Sequence, residues 1–242
     1  MNPTHTDVVP TDLYSIGKSI SLVSRFDAVA NSQFTVVIVK LIHVGKIPSQ
    51  TVIVRVSNSS RDDMRAGEYF AKFFDSSYYT PDKGEFEGPA KEFMKAQLTN
   101  EVESYERMKT LQGISVPEFI GHYEYIKEDD ERVGLILLEY IKSPRLDTVH
   151  GLSTNEVESL HEQCLAVLNQ IHARGVVHND VAPRNIFWNR NEKRVIVCDF
   201  ASAEIFDDSL QAEEMDVFLR CKERDKAFMF FAVQGTAQSK VV

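Results

Sequence analysis

Alternating apolar and polar residues divide the chain into a strand-rich first half and a helix-rich second half. Runs rich in Val, Ile and aromatic residues, a composition typical of strands, occupy 34–44, 51–57 and 68–75. We expect the first two runs to form a hairpin, because only a short polar segment, KIPSQ, separates them. Two further strands are predicted on either side of the acidic turn at 128–131.

Apolar residues at helical spacing predict three helices in the remaining sequence. The first is expected over about 98–113, and the last, which is amphipathic, from 213 to about 231. The clearest lies between them, where Ser153 and Glu156 form a capping-box sequence and Gly175 provides a stop. Its apolar face carries Val157, Leu160, Cys164, Leu168 and Ile171.

The order of these elements predicts an α+β fold in two parts. Residues 1–15 are polar and contain proline, and we expect them to form a loose N-terminal tail. A β-rich part over 16–138, with one helix and a surface insertion at about 76–95, should precede a short, mainly helical part over 139–242. We expect a cleft between the two parts, because ligands bind preferentially at such junctions.

The charge and the apolar content exclude some classes of function. A formal net charge of −9 argues against broad binding to nucleic acid. The longest apolar run, 34–44, is too short for a membrane span and contains Lys40. The first residues lack the basic start and apolar core of a secretory signal. The cysteines form no CxxC pair, so we expect reduced thiols in a cytoplasmic protein; they are Cys164, Cys198 and Cys221.

Polar residues concentrate between two apolar anchors in the segment 175–189, GVVHNDVAPRNIFWN. Such a pattern is expected of a site held rigidly at the edge of a core. The segment contains Asp180 and Asn185, and Asp199 ends the apolar strand predicted over 194–200. Carboxylate and amide oxygens suit Mg²⁺, and a further carboxylate can accept a proton from a hydroxyl. These are the groups that phosphoryl transfer requires.

The spacing H-x-D-x-x-x-x-N, followed by a hydrophobic strand that ends in D-F, resembles the catalytic loop and the metal-binding segment of kinases. Here the two segments read HNDVAPRN and VCDFAS. A two-histidine iron site is disfavoured, since His178 is the last of the seven histidines. A purely structural role for Asp180 and Asp199 stays open. We expect His178 to bond the loop backbone rather than to act as the base.

Further segments resemble one branch of the protein-kinase-like superfamily, the small fungal kinase-like proteins related to aminoglycoside and choline phosphotransferases and to lipopolysaccharide kinases. The resemblance extends from Tyr69 to Phe231. It implies a bilobal protein-kinase-like fold, with a β-rich N-lobe and a short, mainly helical C-lobe, and it implies ATP and Mg²⁺ as cofactors. The segments that carry it are AKFFD, LLEYI, IHARGVVHNDVAPRNIFWN and DFASAE.

The resemblance also implies a role for each candidate residue of the second part. Asp180 would be the catalytic base, and Asn185 and Asp199 would bind the metal. The segment that connects the two lobes would bind the adenine through its backbone. Its residues are Glu139, Tyr140 and Ile141.

A cation for the nucleotide phosphates is expected in the third predicted strand. Lys72 lies at the centre of this apolar strand, where an unpaired lysine would be costly. Two alternatives to this role stay open. In one, Lys72 lies in an edge strand and points to water; in the other, Arg55 is the functional cation. Glu101 is the expected partner of Lys72, with Glu106 as the alternative. The other explanation for both acids is that they lie on a solvated helix face.

Several residues depart from the pattern of an active protein kinase. The Gly-rich loop is absent, and the chain offers only SLVSRFDAVANSQ near the expected place. Phe70 stands where a small or β-branched residue usually contacts adenine. Asn179 replaces an arginine that receives a regulatory phosphate, and Ala182 replaces a frequent lysine. Arg184 is the residue that could supply the missing charge.

These observations favour an ATP- and Mg²⁺-dependent phosphotransferase. About 43 residues follow Asp199, without an A-P-E segment, so we expect a small-molecule hydroxyl as the acceptor rather than a protein. A protein substrate stays open. The alternative is a catalytically impaired kinase-like module, a pseudokinase that acts by binding partners. Neither hypothesis includes a nucleic acid partner.

Overall fold

The architecture is that of a computed structural model of the chain. The protein divides into two compact units. The first comprises Met1–Leu98 and Ile120–Tyr140, and the second comprises Thr99–Phe119 and Ile141–Val242. The segment 99–119, expected in the first part, therefore groups with the second. The residues that the structure describes are 13–25, 33–45, 49–57, 65–79, 89–207 and 209–238.

Six strands of the first unit close into a barrel. Their order is β1-β2-β3-β4-β6-β5, and β1 closes the barrel by pairing with β5. The strand bounds are Ser19–Ser24 for β1, Gln33–His43 for β2, Gln50–Val56 for β3, Gly67–Phe74 for β4, Phe119–Ile126 for β5 and Arg132–Glu139 for β6.

The barrel interior follows the two-residue period of its strands. Alternate residues point inward and are almost completely buried, as Val52, Val54 and Val56 are on β3. The predicted hairpin and the aromatic third strand are confirmed as β2, β3 and β4. β1 was not predicted, because its inward Ile20 and Leu22 alternate with small serines that also suit a loop.

A buried polar cluster joins the N-terminal residues to the barrel. Asp75 is fully buried and accepts hydrogen bonds from the Tyr14 hydroxyl at 2.9 Å and from Lys127 Nζ at 2.8 Å. Lys127 also pairs with Glu131 at 2.7 Å. Burial lowers the pKa of Lys127, but its bonds to the two carboxylates outweigh burial and raise it. Tyr14 is thus part of the fold, whereas 1–12 of the predicted loose tail lie outside the described residues.

Helix α1, Ala90–Arg107, begins eight residues before its predicted start. Its first turns, AKEFMKAQ, mix charged residues with alanines and bury Met94, so the apolar repeat is too weak there to read from sequence. Leu98 contacts β6 closely, since a Cβ on Gly134 would lie 2.3 Å from Leu98 Cδ2. The insertion predicted at 76–95 therefore overlaps the helix, and its residues 80–88 lie outside the described part.

The second unit contains two long helices and two small sheets. Helix α2 has the predicted capping box, in which Glu156 accepts from the Ser153 amide at 2.9 Å. None of the helices in the described part of the chain is long and apolar enough to cross a membrane. The element bounds are Thr154–His172 for α2, Val176–Val177 for β7, Ile186–Asn189 for β8, Arg194–Val197 for β9, Glu204–Ile205 for β10 and Ala212–Gln238 for α3.

The packing of α2, α3 and β7 frames the polar loop of this unit. α3 lays one face on α2 and buries Asp225, Met229 and Val233 on that face. Gly175 follows α2 with a φ of 70°, and a Cβ there would lie 2.1 Å from the Phe206 carbonyl oxygen. Only glycine fits this position, so the predicted helix stop also allows the close contact that precedes β7.

Candidate active site

The predicted catalytic loop connects β7 to β8. Both ends are anchored by strand pairing, because β7 pairs with β10 and β8 pairs with β9. The loop ends in one turn of 3₁₀ helix over Pro183–Asn185. Proline suits the first position of such a turn, since its missing N–H would have no partner there. The loop is therefore held at both ends, while its centre carries the polar side chains.

His178 organises the backbone of the loop. Its ring is fully buried, its Nδ1 accepts from the Asp180 amide at 3.2 Å, and its Nε2 lies 2.9 Å from the Cys198 carbonyl oxygen. Because Nδ1 accepts, the proton is on Nε2, which donates to Cys198. The expected bonds between His178 and the loop backbone are confirmed, and a structural rather than a basic role for His178 stays a prediction.

The Asp180 carboxylate is oriented by two neighbours in the loop. Asn185 Nδ2 donates both to the Asp180 carbonyl oxygen and to Asp180 Oδ2, each at 2.9 Å. One guanidinium nitrogen of Arg184 donates to Oδ1 at 2.6 Å and to Oδ2 at 2.7 Å. Arg184 thus brings a positive charge to the carboxylate, in a loop where Ala182 carries none.

The two predicted metal ligands lie at the same end of the β8–β9 ladder. Ile186 is paired with Val197, and the amide of Cys198 donates to the Asn185 carbonyl oxygen at 2.9 Å. Asp199 follows directly with a φ of 70°, a left-handed conformation that is uncommon for a residue other than glycine. The structure thus brings together the backbones that carry Asn185 and Asp199.

This donor set fits a magnesium ion. Both bonds of the Asn185 side chain to Asp180 use Nδ2, so the carbonyl oxygen of the amide is turned away from them. An amide oxygen and a carboxylate are hard oxygen ligands of the kind that Mg²⁺ binds, usually with waters and nucleotide phosphates completing its shell. Metal binding by Asn185 and Asp199 stays a prediction.

Within the second unit, aromatic rings connect the catalytic loop to helix α1. Phe200 lies between His178, at 4.8 Å between ring centroids, and Tyr105 of α1, at 5.5 Å. Burial raises the pKa of Tyr105 well above its usual value, and the charges of Glu101 and Asp199 add to this shift. Glu101 is fully buried and lies one helical turn before Tyr105, so α1 brings this acid into the same neighbourhood.

Asp225 of α3 anchors the loop and was not identified from the sequence. It is fully buried, and its carboxylate accepts from the amides of His178 at 2.8 Å and Asn179 at 3.0 Å. The same carboxylate lies 3.2 Å from Nε2 of His172 on α2. An aspartate in the middle of an apolar helix face was the available signal, because such a residue needs buried partners.

Lys72 is buried in the first unit. Its strand, β4, lies between β3 and β6, and the lysine is only 4% exposed. The alternative of an edge-strand lysine that points to water is therefore wrong. Lys72 Nζ lies 5.4 Å from the centroid of the Phe74 ring. Arg55, the alternative cation, instead forms an exposed ion pair with Glu68 at 2.7 Å.

The remaining predicted residues are described within their own units. Glu106, the alternative acid, pairs with Lys109 at 2.6 Å on the helix surface. Glu139 ends β6 in the first unit and is followed by the half-buried Tyr140. Ile141 is buried and begins the second segment of the second unit. Pairing of Lys72 with Glu101 and adenine binding by 139–141 stay predictions.

Comparison with known proteins gives a family for this arrangement. The family model described as "Protein kinase domain" matches residues 88–220, more than half of the chain, including Asp180, Asn185 and Asp199. Lys72 lies before the matched region. The narrower resemblance to the fungal proteins related to aminoglycoside and choline phosphotransferases stays a prediction.

Individual relatives are also protein kinases by name. Casein kinase II subunit alpha' of Saccharomyces cerevisiae is 24% identical over 104 residues, which are 42% of this chain and 31% of that protein. The probable serine/threonine-protein kinase MRK1 homolog of Encephalitozoon cuniculi is 35% identical over 34% of this chain and 24% of its own length. The cell division cycle 7-related protein kinase of Mus musculus is 33% identical over 34% of this chain and 14% of its own.

These alignments span less than a third of each relative's length, so they leave the activity of the whole protein to be established. The match of the family model is different in kind, because it includes the loop, both metal-binding candidates and the helix that carries Glu101. On this match, the chain belongs to the protein kinase domain family.

Proposed function

We propose that the protein is a phosphotransferase that uses ATP and Mg²⁺ to phosphorylate a hydroxyl group. The observation that carries this proposal is the cluster in the second unit, in which Asn185 bonds Asp180 while its own backbone holds the segment of Asp199. A base and two metal-binding oxygens in one loop system are the groups that the reaction needs.

Each residue has a distinct task in this proposal. Asp180 orients the acceptor hydroxyl and takes its proton, and Asn185 keeps the carboxylate in place through Nδ2. Asn185 and Asp199 would hold Mg²⁺, and the bound nucleotide with its metal would supply the phosphoryl group and neutralise its charge. Lys72 is proposed to bind the nucleotide phosphates with Glu101 as its partner, and the backbone of 139–141 to bind the adenine.

The acceptor in this proposal is a hydroxyl of a protein. The sequence alone favours a small molecule, but the relatives are named serine/threonine-protein kinases, which supports a protein hydroxyl instead. Incubation with labelled ATP and Ser, Thr and Tyr peptide libraries, beside a panel of small hydroxyl compounds, separates the two. Transfer to small compounds without transfer to any peptide would contradict the protein acceptor.

Nucleotide binding is the first test of the proposal. At a nucleotide concentration of about 100 times Kd, binding stabilises the protein by about 2.7 kcal/mol, which raises Tm by about 5–10 °C for a chain of this size. We expect this shift to require Mg²⁺ and to be lost in Asp199→Ala. Asp216→Ala is the matched control, because Asp216 lies on the exposed surface of α3 and forms an exposed ion pair with Arg220 one helical turn away.

Asp180→Asn separates binding from chemistry. The amide cannot accept a proton, so we expect the Mg²⁺-dependent thermal shift to remain while turnover is abolished. Full turnover in this variant would remove Asp180 from the mechanism.

One observation favours the second candidate, a pseudokinase that binds partners. Both oxygens of Asp180 already accept from Arg184, which leaves fewer lone pairs for an incoming hydroxyl. If Arg184→Ala creates or raises phosphoryl transfer, the wild-type site is restrained in this way. If wild type shows no shift with millimolar ATP and Mg²⁺, the binding module replaces the enzyme as the better function.

We also propose the cytoplasmic location that the sequence predicts. Its support is chemical, since the three cysteines of the chain are free thiols.

A further inference from the structure

We propose that Asn179 is a positioning residue that holds the metal-binding segment in place without a phosphate. The proposal concerns the turn after Asp199, and it names a contact system made of Asn179, the Ser202 carbonyl group and Arg224. The role of that turn in metal binding rests on the proposed function, whereas the contact system itself does not.

The Asn179 side chain connects three parts of the second unit. Its Nδ2 donates to the Ser202 carbonyl oxygen at 3.3 Å, and its Oδ1 accepts from Arg224 of α3. Its backbone amide donates to Asp225, the residue next to Arg224, at 3.0 Å. One asparagine therefore joins the catalytic loop to the turn after Asp199 and to α3.

The backbone conformation of Asn179 explains why an asparagine suits this position. Its φ is 61°, in the left-handed region that asparagine and glycine adopt more readily than other residues. The arginine found here in the resembling kinases would carry a longer charged side chain close to Arg224. The neutral amide instead offers an NH₂ donor group and an acceptor oxygen at short reach, and each forms a bond here.

The turn after Asp199 is held at consecutive positions by neutral groups. Asn100 of α1 donates to the Ala201 carbonyl oxygen at 3.4 Å, next to the Ser202 carbonyl bonded by Asn179. Two residues later, Glu204 of β10 pairs with Val177 of β7. Side-chain amides and a strand pair therefore order this segment.

The contacts that order this turn should also fix the backbone position of Asp199. The turn begins immediately after this residue, and Asp199 itself is in a left-handed conformation that surrounding contacts must maintain. Loss of the Ser202 bond would free the segment on one side. Mutation of a residue that orients a metal ligand typically changes metal affinity about 10- to 100-fold.

Hydrogen exchange of the protein without nucleotide tests the contact directly. In Asn179→Gly, which keeps the left-handed conformation, amides of 200–205 should exchange about threefold to tenfold faster, as expected for the loss of one hydrogen bond. Asn179→Asp keeps an acceptor for Arg224 and removes the donor to Ser202, so it should accelerate the same amides. Lys193→Gly is the matched control, since Lys193 also has a positive φ, of 49°, in the exposed β8–β9 turn.

Two results would overturn the proposal. One is wild-type exchange at 200–205 in both Asn179 variants. The other is acceleration that is equal throughout α2, because that would indicate global destabilisation. The double variant Asn179→Gly/Arg224→Ala should exchange no faster than Asn179→Gly, since Arg224 acts through Asn179. Additive effects would contradict the contact between these two residues.

A second measurement links the contact to the metal. We expect Asn179→Asp to weaken the apparent Mg²⁺ affinity in the presence of nucleotide by about tenfold, with unchanged nucleotide affinity in the absence of Mg²⁺. If wild type binds no nucleotide, the proposed function fails, but the exchange measurement still decides on Asn179. If exchange responds and Mg²⁺ affinity does not, the link to the metal is refuted.

Discussion

Replacement of Asp225 by asparagine should destabilise the second unit more than any surface change of the same chemistry. One carboxylate oxygen accepts from the His178 amide and faces His172, and the other accepts from the Asn179 amide. Asparagine keeps one acceptor and turns an NH₂ group toward a buried N–H. Hydrogen bonds to charged groups contribute about 1.5–3 kcal/mol each, and an unsatisfied buried donor costs about 1–3 kcal/mol, so we expect a loss of about 2–4 kcal/mol.

Fluorescence of the single tryptophan provides a local assay. Trp188 lies on β8, immediately after the catalytic loop, and is 3% exposed. Urea unfolding followed by this signal should show a midpoint lower by roughly 0.7–4 M, for m values of about 1–3 kcal/mol/M. Asp216→Asn on the same helix is the control, because its exposed pair with Arg220 should contribute at most about 1 kcal/mol.

The reasoning about Asp225 would be refuted by a small effect. If Asp225→Asn unfolds within about 0.5 kcal/mol of the Asp216→Asn control, the carboxylate does not secure the loop amides.

Two further changes follow from backbone geometry and from ionisation. Gly175→Ala should cost at least about 1 kcal/mol more than Gly113→Ala, measured by urea unfolding; both positions have a φ of 70°, but only at Gly175 would a Cβ meet a backbone oxygen. Equal losses would contradict the clash. The free energy of unfolding should fall as the pH rises above 10, since the pKa values of Tyr14 and Lys127 are raised in the folded state above their ordinary 10.0 and 10.5, and the unfolded chain then releases protons first. Tyr14→Phe should flatten this decline, and an unchanged slope would exclude Tyr14 as a source.

Local sequence patterns predicted the helices and strands whose signals lie within a few residues of one another. The capping box of Ser153 and Glu156 and the apolar repeat behind it placed α2 correctly, because both signals act inside one helix. The strands β2, β3 and β4 were predicted for a similar reason, since Val, Ile and aromatic residues dominate them. β1 was missed because serine separates its inward residues Ile20 and Leu22.

Local sequence patterns did not predict contacts between segments that are distant in the chain. The spacing from Asp180 to Asn185 predicted a shared site, and the bond between their side chains connects residues only five apart. Asp225 lies 47 residues from His178. The apolar pattern of its helix predicts a buried face. It does not predict from which buried amides an aspartate on that face accepts hydrogen bonds. His172 was assigned to the helix alone for the same reason.

The order in which these contacts can form has a consequence for the site. Bonds from Arg184 and Asn185 to Asp180 are local, so the loop can adopt its own shape with a small loss of chain entropy. The amides of His178 and Asn179 are satisfied only when α3 packs against α2 and presents Asp225. The same packing brings Arg224 to Asn179. Docking of α3 therefore fixes the position of a loop whose shape is already determined by local bonds. A helix that lies more than 40 residues later in the chain becomes necessary for the position of Asp180.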